Sequence, residues 1–171
     1  VMKESAQTAV SYVRSKAAEL GIPADFYKTK DIHVHATEAA VPKDGPSAGV
    51  TITTALVSAL TGIPIKRDVA MTGEVTLRGR VLAIGGLKEK SMAAYRAGVK
   101  TVFIPAENEP DLAELDRKVL DNLLFIPVSE VGTVIRKALA TPPKPLPSAP
   151  LPPAERPPAL EKPANTGTEP A

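Results

Sequence analysis

Apolar residues recur along the first 140 positions with two alternating periods. Ala6, Val10, Val13, Ala17 and Leu20 stand at helical spacing, which predicts an amphipathic opening helix. Gly21 and then Pro23 follow, as a C-terminal glycine and a breaker do. Over residues 31–36 the period changes to two. Ile32, Val34 and Ala36 fall on one face, with His33 and His35 on the other, the pattern of a half-buried strand. Residues 48–60 are apolar nearly all round and end at Gly62, so this stretch predicts a helix buried on most sides.

Two strand-like runs within residues 69–84 flank Arg78-Gly79-Arg80 and predict a hairpin. Residues 87–97 read as a further helix closed by Gly98, and 101–105 and 123–128 as short buried strands. Residues 111–119 and 129–139 are helical in pattern. Strands and helices in this irregular order predict an α+β fold, mixed sheets packed with helices, rather than a regular doubly wound sheet.

The pattern stops near Thr141. Residues 142–170 hold eleven of the eighteen prolines, and no Ile, Val, Phe or Tyr occurs from Thr141 onward. Such a stretch cannot bury enough apolar surface to offset its ordering entropy. The division expected is a folded unit at 1–140 and an extended, disordered proline-rich tail at 141–171. The opening residues resemble the inside of a helix, as in a segment cut from a longer protein, and carry no signal-peptide pattern.

Charge and composition narrow the chemistry. Twenty-one basic residues against nineteen acidic give a net charge of +2, which offers no argument for a nucleic-acid partner. The absence of Cys excludes disulfides, a thiolate nucleophile and Cys-ligated metal. No apolar run reaches the roughly 18 residues that span a bilayer.

The most unusual local sequence is PKDGPSAG at 42–49, which delivers Ser47 to the start of the buried helix. Unpaired N–H groups at a helix start, aided by the helix dipole, can stabilise an oxyanion. Serine is equally a favoured N-cap, the blander reading of the same residue. No phosphate loop fits: Gly45 and Gly49 are too close for a Walker pattern and no Lys follows, and Gly79, Gly85 and Gly86 miss the dinucleotide spacing. A nucleophilic Ser47 needs a base. His33 or His35, with Asp44 or Asp31, is one source, and the two histidines are also the start of a metal site that lacks an evident third ligand; the favoured reading is the blander one, two histidines hydrogen-bonded within a polar sheet face. A lysine is the other source. GGLKEK at 85–90 opens a helix and places Lys88 and Lys90 on different faces. Ala93 and Ala94 share the face of Lys90; poor solvation there and the helix N-terminus would both disfavour its ammonium form, whereas the blander and usual reading is an exposed Lys88-Glu89-Lys90 charge run on a solvated helix.

PKDGPSAG and GGLKEK resemble the two signature segments of the ATP-dependent Lon serine proteases, and residues 71–81, MTGEVTLRGRV, are similar to the same family in the same order. The likeness covers residues 1–140 and is to the bacterial soluble branch. It implies a Lon-type, ribosomal-protein-like α+β domain whose first strands, lining part of the substrate groove, lie upstream. It also implies a Ser47–Lys90 dyad, with Thr72 hydrogen-bonding the lysine and backbone N–H groups at Ser47 and Ala48 as the oxyanion hole. Asp44 stands beside the nucleophile, where a contact with Lys90 would hold that lysine protonated in a resting state. The resemblance further implies a cytoplasmic homo-hexamer acting on unfolded polypeptides, with no cofactor in this chain and with ATP and Mg in an ATPase module outside it. Two alternatives stand beside this reading: a non-catalytic, hexamer-forming scaffold of the same type, and a hydrolase using His33 or His35.

Overall fold

The computed structural model describes residues 1–37 and 44–148. Pro42, Lys43 and the tail from 149 to 171 lie outside the described residues. The chain opens with α1 (Met2–Lys16), whose Glu4 stands in the first turn and Arg14 and Lys16 in the last, each favourable to the helix dipole. Gly21, at φ +72°, lets the chain turn back, and the Ile22 N–H closes on the Ala17 carbonyl at 2.8 Å. A short α2 (Phe26–Thr29) buries Phe26.

The expected strand at 31–36 does not form: the segment carries no strand assignment. Its alternation survives in part. Ile32 is half-buried, and the rings of His33 and His35 stack with centroids 6.5 Å apart. A strand is defined by its ladder, and among the described residues no neighbouring strand pairs with this one.

The apolar run forms α3 (Gly49–Thr61), ended by Gly62 at φ +74°. Next come β1 (Val69–Met71), β2 (Glu74–Val75) and β3 (Val81–Leu82). The hairpin expectation holds for β2 and β3, which pair antiparallel. The first run instead breaks at Thr72-Gly73, and β1 joins another sheet. After α4 (Leu87–Arg96) and β4 (Thr101–Pro105), the expected helix at 111–119 divides. A 3-10 stretch, Ala106–Glu114, ends at extended Leu115, and α5 (Arg117–Asn122) starts afresh where the Asp116 side chain accepts from the Lys118 N–H. Pro110 disfavours a continuous α-helix through that region. The chain continues into β5 (Leu124–Val128) and α6 (Val131–Ala138).

The architecture is mixed α and β, with a parallel sheet in the order β1-β4-β5 at its centre. Side chains alternate across β4. Phe103 packs with α1, α3 and α6 through Val13, Val57 and Val134, whereas Val102 and Ile104 meet Leu87, Ala94 and Val119 on the other face. Each such side chain contributes about 1.5–3 kcal/mol by leaving water. β4 is therefore the strand that joins the two cores. The Ala140 N–H donates to the Pro64 carbonyl and the Leu146 N–H to the Ala18 carbonyl, both at 2.8 Å. Residues 141–148 thus run back along the end of the first helix.

Candidate active site

Ser47 lies in a 3-10 turn, Pro46–Ala48, that runs directly into α3. Gly45 enters it at φ +137°, and Pro46 takes the first position, where a missing N–H leaves nothing unsatisfied. The capping reading of Ser47 fails here. The N-cap of α3 is Ala48, that of the turn is Gly45, and neither end carries a side-chain cap bond. The serine hydroxyl is not engaged as a cap.

What holds Ser47 is its carbonyl, which accepts the Gly73 N–H at 2.9 Å and the Thr72 hydroxyl at 3.4 Å. The Gly73 carbonyl in turn accepts the Val50 N–H at 3.0 Å. These backbones approach so closely because two glycines face one another's segments. A Cβ on Gly49 would lie 2.9 Å from the Val75 nitrogen, and one on Gly73 2.6 Å from a Val81 methyl. Two donors at the start of α3 are already taken, Gly49 by the Pro46 carbonyl and Val50 by Gly73. The oxyanion-hole expectation concerns the two N–H groups that precede these, of Ser47 and Ala48.

Lys90 stands in the first turn of α4, its own N–H bonded to the Gly86 carbonyl at 3.0 Å. Ser47, Ala48, Thr72 and Lys90 line one cavity of about 250 Å³. Its other walls are largely apolar, from Ala70, Met71, Leu87, Ala94 and Val102. Lys88 does not line it, so the cavity distinguishes the two lysines that spacing alone left open.

Three expectations are corrected. Lys90 is exposed rather than poorly solvated, because Ala94 is buried while Ala93 faces water. Its Nζ folds back to within 3.8 Å of where a Cβ on Gly86 would stand. An ammonium group keeps its hydration this way, instead of entering an apolar cavity unpaired. Thr72 accordingly donates to the Ser47 carbonyl and not to Lys90. Asp44 does not meet Lys90 either. Its Oδ1 accepts the Met2 N–H at 2.8 Å and the Gly45 N–H at 2.9 Å. The two backbone bonds hold its carboxyl below the usual carboxylate range.

His33 and His35 do not line the Ser47 cavity. They border an adjoining groove with Asp31 and α3, which shares Ala48 and Thr51 with that cavity, and both are exposed. Among the described residues no three His, Asp or Glu side chains gather as metal ligands.

Sequence reasoning passed over Ser91, Gly73 and Asn108. Ser91 had a legible signal, since Leu87, Ser91 and Ala94 stand at i, i+4 and i+7 and form the buried face of α4; a serine in that stripe is out of place. Asn108 had none, because the backbone it clips, that of Ile84, lies 24 residues away along the chain.

Ser47 and Lys90 thus line one small cavity of an α+β domain. Known proteins resolve the class further. The profile of the Lon protease (S16) C-terminal proteolytic domain matches residues 1–141. Lon protease of Chloroflexus aggregans is 62% identical over 145 residues, 85% of this chain and 18% of that protein. Those of Brevibacillus choshinensis and Brucella abortus are each 58% identical, over 84% and 85% of this chain and 18% of their own length. The chain belongs to the Lon protease proteolytic-domain family. It spans about a fifth of the length of these curated relatives. No helix among the described residues is long and apolar enough to cross a membrane.

Proposed function

We propose that this chain is a serine endopeptidase domain working through a Ser47–Lys90 dyad. The observation that carries the reading is the shared cavity, lined both by Ser47, whose hydroxyl is not engaged as a cap, and by Lys90, in the two segments by which the chain resembles its family. For reaction, the Lys90 side chain rotates from above Gly86 into the cavity beside Ser47. Ser47 Oγ attacks the peptide carbonyl while Nζ takes its proton. The N–H groups of Ser47 and Ala48 receive the developing oxyanion. The protonated lysine then serves the leaving amine, and water hydrolyses the ester with the lysine again as base. Thr72, bonded to the Ser47 carbonyl, turns its hydroxyl to Lys90 when the amine enters.

In the longer protein that the relatives suggest, the domain cleaves unfolded polypeptides in a cytoplasmic homo-hexamer. Its ATP dependence resides in another module that binds ATP and Mg. The test is peptide-level mass spectrometry after exposure to a serine-acylating peptide lactone. Wild type is expected to carry the label on Ser47, with label lost in Ser47→Ala and Lys90→Ala while circular dichroism stays unchanged. Label persisting in Lys90→Ala reassigns the base. A folded wild type that takes no label overturns the reading in favour of the scaffold alternative.

A further inference from the structure

β1 is an outer strand of the parallel sheet, with β4 on one side and, among the described residues, no strand on the other. Its ladder to β4 engages alternate residues. The Thr101 N–H donates to the Asp68 carbonyl and the Thr72 N–H to the Phe103 carbonyl, both at 3.1 Å. Met71, which stands opposite Phe103, therefore turns its own N–H and carbonyl away from β4. The Ser47 cavity lies on that side. Ala70 packs in the core shared with α4 and Met71 in the core shared with α3, yet both line the cavity. Residues from the two faces of one strand border a common space where that space runs along the strand's edge. Thr51 of α3 gives the same direction, since its hydroxyl donates to the outward Met71 carbonyl at 3.3 Å and the residue lines the cavity as well. Thr51 is exposed, so this bond sits where a bound molecule can reach it.

We propose that the outer edge of β1 holds the substrate: an extended segment of polypeptide pairs its backbone with Met71, and the Thr51 hydroxyl is the donor that satisfies the Met71 carbonyl until it does. The inference rests on the peptidase reading above and adds to it how the peptide is held. A strand added to a free sheet edge is bound through main-chain hydrogen bonds, and every residue except proline carries both the donor and the acceptor. Recognition of this kind reads the backbone and tolerates many side chains. It needs a segment that is not already paired, so an unfolded chain fits and a folded strand does not. The nucleophile is fastened to the same strand end, because the Ser47 carbonyl takes the Thr72 hydroxyl and the Gly73 N–H. A peptide set in register on Met71 is thus set in register against Ser47, the positioning on which attack at its carbonyl depends.

The experiment uses fluorogenic peptides in which one backbone amide at a time, outside the scissile bond, is replaced by an ester, on wild type, Thr51→Val and Thr51→Ser. The ester keeps the side chain and deletes the N–H. At the position that pairs with the Met71 carbonyl, kcat/KM on wild type is expected to fall about tenfold, the scale of one hydrogen bond. In Thr51→Val a bound ester leaves that carbonyl with no donor, so the amide-to-ester ratio there widens about threefold further. Thr51→Ser keeps the hydroxyl and the wild-type ratio. Both variants are expected to melt as wild type does, since Thr51 is exposed. Esters cleaved as well as the amide at every position overturn the proposal, and so does a ratio that Thr51→Val leaves unchanged; either result leaves the Ser47–Lys90 reading in place. A wild type that cleaves no peptide and takes no label on Ser47 removes the peptidase reading and this inference together.

Discussion

A methyl group on Gly73 would meet a Val81 methyl at 2.6 Å and a Val50 methyl at 2.8 Å. Gly73 is also the residue whose N–H holds the Ser47 carbonyl, so crowding there displaces the nucleophile as well as the core. Overpacking of this kind typically costs about 1–3 kcal/mol, and a misplacement near 1 Å can cost about 100-fold in rate. Gly73→Ala is therefore expected to unfold at lower urea and to acylate Ser47 about 100-fold more slowly. Equal labelling rates in the two proteins would show that the Ser47 turn is held by something else. At this scale the sequence was informative about identities and silent about facing. Ser47 and Lys90 were legible as candidates, but two lysines, two histidines and a capping role all remained compatible with the local spelling. The glycine's importance comes from a backbone on another segment, and no local pattern encodes that.

Among the elements, α4 carries Lys90 and Ser91, and the loop entering it is clipped from outside. The Asn108 side chain accepts the Ile84 N–H and donates to the Ile84 carbonyl, both at 2.9 Å, and also donates to Asp111 at 2.7 Å. It behaves as a one-residue strand partner for the chain just before Gly85-Gly86. Asn108 is buried, so Asn108→Ala leaves both Ile84 groups unpaired and is expected to lose about 2–4 kcal/mol in urea unfolding. Faster hydrogen exchange at the start of α4 should accompany that loss; unchanged exchange there would make Asn108 a local tie of its own turn only. Periodicity located most helices well, α1, α3, α4 and α6 among them, because their buried faces repeat along the chain. It misjudged 111–119, where Pro110 and the Asp116 cap outweigh a short apolar pattern, and 31–36, where alternation was present without a partner to pair with.

Across the whole molecule, α1 is held against both the β2–β3 turn and α6 through Tyr12. Its ring packs on Gly79 and its hydroxyl lies 3.8 Å from where a Cβ on Gly132 would stand. Burial pushes the Tyr12 phenol up, Glu130 and Glu19 adding to the effect and Arg136 opposing it. The neutral form is favoured in the folded state, so the unfolded chain ionises first, near pH 10. The stability this group contributes is present below that pH and lost as pH rises through the folded-state value. Urea midpoints should therefore fall above about pH 10, and less steeply in Tyr12→Phe. Parallel slopes in the two proteins would mean that Tyr12 does not report the packing of α1.

Several properties were determined by sequence alone: the mixed α and β content, the change of composition at Thr141, the two segments that carry the family likeness, and a serine and a lysine as the pair to examine. These are local properties, set by side-chain period, turn residues and residue type within a few positions. The tertiary structure decided the rest. Parallel pairing of β1 with β4 brings the Ser47 turn and α4 to one cavity, puts Lys90 rather than Lys88 in its wall, leaves the histidines to an adjoining groove and buries Ser91. Those facts depend on which distant backbones lie side by side, and that is settled by the packing of two cores on one sheet rather than by any stretch of the chain.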